Sequence, residues 1–144
     1  MIKFDTSEID KFVIDLKDTS EDIRSDIQRV IKKAGFNIEA RAKRNITNNG
    51  SVKTGHLRRG ITTDVGNMEV AVHTSNIKYA RGLEEGTRPH IIKAKNKKAL
   101  YWKGAKHPVK SVRHPGSRAK PFLIPAFEKE KEVIMKDLEK IVKW

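Results

Sequence analysis

Apolar and polar positions alternate along this chain with two different periods, and the change of period marks the elements. Ile9, Phe12, Val13 and Leu16 recur at spacings of three and four, which predicts a short helix over residues 6–17. Asp18-Thr19-Ser20 interrupts that pattern and offers a hydroxyl cap, with Glu21 and Asp22 suited to the positive end of the next helix. Ile23, Ile27, Val30, Ile31, Ala34, Ile38 and Ala42 then form a narrow stripe of helical period, predicting a long helix from about Ser20 to Ile46. Gly35 inside it costs up to about 1 kcal/mol relative to alanine, so it marks close packing or a bend. Asn48-Asn49-Gly50 supplies the stop.

Thr54-Gly55-His56-Leu57-Arg58-Arg59 reads as one capped helical turn, with Thr54 as the cap and Leu57 as its buried anchor. From Ile61 to Thr74 the period becomes two. Ile61, Thr63 and Val65, then Gly66-Asn67, then Met68, Val70 and Val72 predict a β-hairpin. Tyr79 to Glu85 is a short helix stopped by Gly86. Ile91-Ile92 and Ala99-Leu100-Tyr101-Trp102 read as two strands, with Val109 and Val112 as a weak further one. A last helix is expected from about Phe122 to Val142. Its buried stripe is Phe127, Ile134, Leu138 and Ile141, and Pro125 is tolerated in its first turn. The fold class is α+β: N-terminal helices and a C-terminal helix packed on a small, mostly antiparallel sheet, as one domain over residues 1–144.

Charge changes the picture most in the second half. The 144-residue chain carries a formal net charge of +13, and residues 78–120 hold thirteen Lys or Arg against two acids, Glu84 and Glu85. All five prolines also fall between Tyr79 and Phe127, so this is a region of turns and basic surface. Its heart is a basic loop region of about residues 88–120. The candidate DNA-facing or partner-facing residues are Arg88, Lys93, Lys95, Lys97 and Lys98, followed by Lys103, Lys106, Lys110, Arg113 and Arg118. A basic run of this kind is either a solvated surface or one that meets nucleic acid or an acidic protein. Tyr101 and Trp102, interleaved with lysines, suit base stacking, core packing or a subunit contact. Phe122 is either a buried anchor for the last helix or a further subunit contact.

Catalytic chemistry finds little to work with. There are no cysteines, which excludes disulfides and thiolate metal sites. His90, His107 and His114 are widely spaced, and no acid lies at metal-ligand spacing from them. Glu84 and Glu85 are adjacent, so they point in different directions on a helix. Glu84-Glu85-Gly86 reads as a helix stop, or as a carboxylate pairing with a neighbouring subunit. No glycine-rich phosphate loop is present. No catalytic residue, metal or cofactor is expected, and neither is a secretion signal nor a membrane span.

The same landmarks carry a family resemblance. Thr54-Gly55-His56-Leu57-Arg58-Arg59 with Ile61 comes first, then Tyr79-Ala80 with Glu85-Gly86-Thr87 and Pro89-His90-Ile91. Lys98-Ala99-Leu100-Tyr101-Trp102, His114-Pro115-Gly116 and Lys120-Pro121-Phe122-Leu123-Ile124-Pro125-Ala126-Phe127 follow in order. Together they resemble the tail-component family of tailed bacteriophages named after gene product ten of a lambda-like coliphage. Gly60 stands where that family often has serine. The resemblance implies a structural protein of the virion neck, made in the bacterial host cytoplasm. It implies a hexamer-like ring of identical copies that meets head-connector and tail-tube proteins and through which DNA passes without sequence-specific contact. The alternatives are a small basic nucleic-acid-binding module and, further off, a toxin-like or nuclease-like enzyme.

Overall fold

The computed structural model describes residues 21–142, and the helix expected over 6–17 lies outside them. Helix α1 (Glu21–Asn48) spans 28 residues, about 40 Å at 1.5 Å per residue. Ile27, Ala34, Gly35, Ile38, Ala42 and Ile46 form its buried face, close to the predicted stripe. Its end follows the predicted chemistry. Gly50 sits at φ 63°, its N–H bonds the Thr47 carbonyl, and the Ser51 N–H reaches back to Ile46. This 6→1 and 5→2 pair satisfies carbonyls that the helix would otherwise leave open.

The single turn α2 (His56–Arg59) begins at Gly55 in the left-handed conformation, and the Thr54 hydroxyl comes only to 3.4 Å from the His56 N–H. Gly55, rather than Thr54, therefore sets the entry to this turn. Leu57 is its buried anchor.

Strands β1 (Thr62–Val65) and β2 (Val70–His73) pair antiparallel, Val65 opposite Val70. The turn is four residues long, closed by the Gly66 N–H on the Glu69 carbonyl, with Met68 at φ 65°. This hairpin lies against α1 at Gly35. A Cβ built there would stand 2.3 Å from Val70 Cγ2 and 2.9 Å from Thr63 Cγ2. The glycine therefore serves close packing. Gly35→Ala is expected to destabilise the chain by about 1–3 kcal/mol through overpacking, against a helix-propensity gain of up to about 1 kcal/mol. A raised melting temperature would show instead that the hairpin withdraws freely.

Glu39, one turn further along α1, accepts hydrogen bonds from Lys43 and from the Thr63 hydroxyl of β1. Burial alone raises its pKa, but those two bonds and the Lys43 charge together hold it below the ordinary value of 4.5. A depressed folded pKa means this stabilisation is present above the unfolded value and disappears as pH falls through the folded one. Glu39→Gln is therefore expected to flatten the loss of stability below about pH 4.5, read from urea midpoints at successive pH values. An unchanged acid limb would show that the carboxylate contributes nothing.

Helix α3 (Ala80–Glu85) leads to Gly86, and α4 (Ile124–Val142) carries Pro125 as its second residue. α4 runs antiparallel along α1 over two clusters. One joins Ile38, Ala42 and Ile46 to Leu57, Ile61, Ala80, Phe122, Leu123 and Ala126, and the other joins Ile27 and Ala34 to Ile134 and Leu138. Between the clusters Glu130, 1% exposed, accepts from Asn37 Nδ2 at 2.6 Å and from Arg41 Nε at 3.1 Å. A buried carboxylate needs such partners, and it fixes the register of the two helices.

The class is α+β, with two separate two-stranded ribbons in place of one small sheet. β3 (His90–Lys93) pairs with β4 (Ser111–His114). The strand expected over Ala99–Trp102 is reduced to one isolated bridge, Leu100 with Val109.

Candidate interaction site on a basic arm

The second ribbon forms an arm. Its root is a backbone pair, Thr87 with Ser117, closed by N–H···O bonds of 2.9 and 3.0 Å and by a 2.9 Å contact between the two hydroxyls. Two glycines let the strands approach. Gly86 lies at φ 75°, and a Cβ there would stand 2.7 Å from the Ser117 carbonyl. Gly116 lies at φ 90°, and its Cβ would meet the Thr87 carbonyl at 2.2 Å. Backbone atoms cannot swing aside as a side-chain tip can, so both positions require glycine. The turn His114-Pro115-Gly116 is held by the His114 ring nitrogen, which accepts the Gly116 N–H at 3.0 Å.

From the root, Thr87 to Lys93 advances by roughly 20 Å at strand rise. All four residues of β3 are exposed, including Ile91 at 63%. His90 and His114, opposite each other across the ribbon, stack with ring centroids 5.0 Å apart. An isolated two-stranded ribbon is marginal in water.

Arg88, Lys93, Lys95, Lys97, Lys98, Lys103, Lys106, Lys110 and Arg113 all lie on the arm and are exposed, with Arg118 just past its root. Residues 87–117 contain no acid at all. The two nearest acids are engaged elsewhere. Glu85 pairs with Arg81 Nε at 2.9 Å. Glu84 is 2% exposed, and its carboxylate accepts the backbone N–H groups of Phe122, Leu123 and Ile124 at 2.9, 3.0 and 2.8 Å. It caps α4 from forty residues away in sequence and satisfies donors that the start of the helix leaves open. No carboxylate among the described residues pairs with a cation of the arm.

The aromatic candidates divide. Tyr101 is 70% exposed and Trp102 47% exposed near the tip, so neither is core. Phe122 is fully buried at the centre of the first cluster. Its reading as a subunit contact is corrected: the Glu84 cap and the Asn45 side chain, which donates to the Phe122 carbonyl at 2.9 Å, pin it inward. Among the described residues no group of three His, Cys, Asp or Glu is placed to hold a metal ion. No described helix is long and apolar enough to cross a membrane.

A family model described as "Bacteriophage HK97-gp10, putative tail-component" matches residues 10–86, just over half of the chain. The chain belongs to the HK97-gp10-like family. The match takes in α1, the Thr54–Arg59 turn, the first hairpin and α3, and it ends at Gly86, where the arm of this HK97-gp10-like chain begins. The landmarks beyond it, from Pro89 to Phe127, rest on the resemblance and on the structural roles described above. No curated protein and no solved structure matched this HK97-gp10-like chain. Membership makes it a phage tail component and so gives it a place in the virion.

Proposed function

We propose that this chain is a virion neck protein. It associates with copies of itself into a hexamer-like ring that completes the tail, or joins it to the head connector, around the DNA passage. The observation that supports this reading is the acid-free, exposed arm with aromatics near its tip, whose two nearest acids, Glu84 and Glu85, are already engaged. Such a surface suits acidic faces of connector or tail-tube subunits, where opposite charge steers docking. It also tolerates passing phosphates without reading sequence. The work is done by charge and surface rather than by catalysis, and the virion follows from assembly in the host cytoplasm. Tyr101 and Trp102 give a second reading, a small nucleic-acid-binding module, because exposed rings among lysines stack on bases.

Sedimentation velocity over a wide concentration range, with and without a short duplex DNA, separates the two. Concentration-dependent closure into a discrete oligomer that ignores DNA supports the neck protein. A monomer that shifts only with DNA, with affinity falling steeply with salt, supports the nucleic-acid module.

A further inference from the structure

Beside the root of the arm the fold leaves an open groove of about 830 Å³. It exists because α1 stops at Gly50 and the next residues turn away before α2 begins. Its floor is apolar: Leu57 lies buried at the base, while Val52 is 41% and Tyr79 54% exposed. Its rim is basic, with Lys53, Arg58 and Arg118 all exposed, and no Asp or Glu lines it. These three cations make no ion pair among the described residues. The occupant must therefore present carboxylates and apolar groups together. Duplex DNA presents phosphates but would leave Val52 and Tyr79 facing water. An acidic, amphipathic protein segment covers both.

This chain has such a segment. Residues 1–20 hold five acids against three lysines, in a sequence that is otherwise strongly basic. Ile9, Phe12, Val13 and Leu16 share one face by spacing, with Glu8 and Asp15 beside them in the same period. Residue 21 opens α1 and the groove lies at the far end of that helix, about 40 Å away. A helix over 6–17, as the spacing predicts, joined by residues 18–20 would span about 28 Å, short of the groove of the same copy.

We propose that residues 1–20 of one copy dock in the basic-rimmed groove of the next. This head-to-tail contact differs from a two-fold one, and it generates a ring when the rotation between copies closes. Each contact is small, but closure makes every segment engage at once and multiplies the strength. The inference names the subunit contact of the ring proposed above and rests on that reading.

The test titrates a fluorescent synthetic peptide of residues 1–20 onto the full chain, kept below the concentration at which it self-associates. Fluorescence anisotropy is expected to show saturable binding. The double variant Arg58→Glu/Arg118→Glu, with its fold checked by circular dichroism, should weaken binding at least about tenfold, and so should Phe12→Asp in the peptide. A peptide carrying Glu8→Lys and Asp15→Lys should regain affinity for the charge-reversed groove. Absence of saturable binding, or binding indifferent to both the groove charges and Phe12, overturns the proposal. So does a short duplex DNA that binds through Arg58 and Arg118 where the peptide does not. Sedimentation is read separately. A chain that stays monomeric yet captures the peptide sinks the ring and keeps the groove, and a ring without peptide capture does the reverse.

Discussion

Glu84→Ala is expected to lose about 3 kcal/mol or more of folding stability, a large share of the roughly 5–15 kcal/mol typical of a domain. The carboxylate is 2% exposed and accepts three backbone N–H groups within 3.0 Å at the start of α4. Removing it orphans three donors at once, and each buried unmet donor costs about 1–3 kcal/mol. Water entering beside the exposed Pro121 softens the loss, which favours the low end of that range. Glu84→Gln keeps one acceptor oxygen but turns an N–H₂ toward the same donors, so an intermediate loss is expected. Urea unfolding checks both, as a shift of midpoint at unchanged slope. A loss below about 1 kcal/mol for the alanine variant would mean that water already serves those amides.

Phe122→Ala is expected to cost about 3–5 kcal/mol, since the ring is fully buried among Ile38, Ala42, Ile46 and Leu57. This variant also decides between two roles. A subunit contact would leave the monomer's stability unchanged and weaken only self-association. A core residue lowers the unfolding midpoint of the dilute chain before assembly is measured. The two substitutions touch the same joint, because Glu84 binds the Phe122 amide. Their double variant should therefore lose less than the sum of the singles. Strict additivity would indicate that cap and ring act independently.

Much of this fold could be read from local pattern, because α1, its stop and the first hairpin depend on neighbours in sequence. Gly35 was legible as close packing or a bend, because it interrupts a stripe that continues on both sides, and the hairpin lying against it decides for packing. Glu84 was not, since its three partners lie about forty residues downstream. A faint signal existed in Pro121-Phe122-Leu123, which brings no Ser, Thr, Asp or Asn to cap α4, so the cap had to come from elsewhere. Glu130 was more accessible to the eye. It sits four residues from both Ala126 and Ile134, on the buried stripe, and a carboxylate there requires a partner.

The arm was the least legible. Ile91-Ile92 pairs with Arg113 and Val112, in the run that read only as a weak further strand, while the stronger run Ala99–Trp102 forms no strand. Neither face of that ribbon is buried, so apolar periodicity has no hold on its register. Gly86 and Gly116 at the root decide it instead. The basic residues could be grouped from the sequence because charge needs no register, and the structure places nine of them on that ribbon and Arg118 beside its root.

The Thr87–Ser117 root has a consequence for how such a chain can vary. Everything between those two residues is one closed excursion, tied off by a neck of two backbone bonds. The entropy of closing such a loop grows only with the logarithm of its length, about 0.6 kcal/mol per doubling. The excursion can therefore be lengthened, shortened or recharged with little penalty to the helices beneath it. Reach and polarity toward a partner can drift while the scaffold stays fixed.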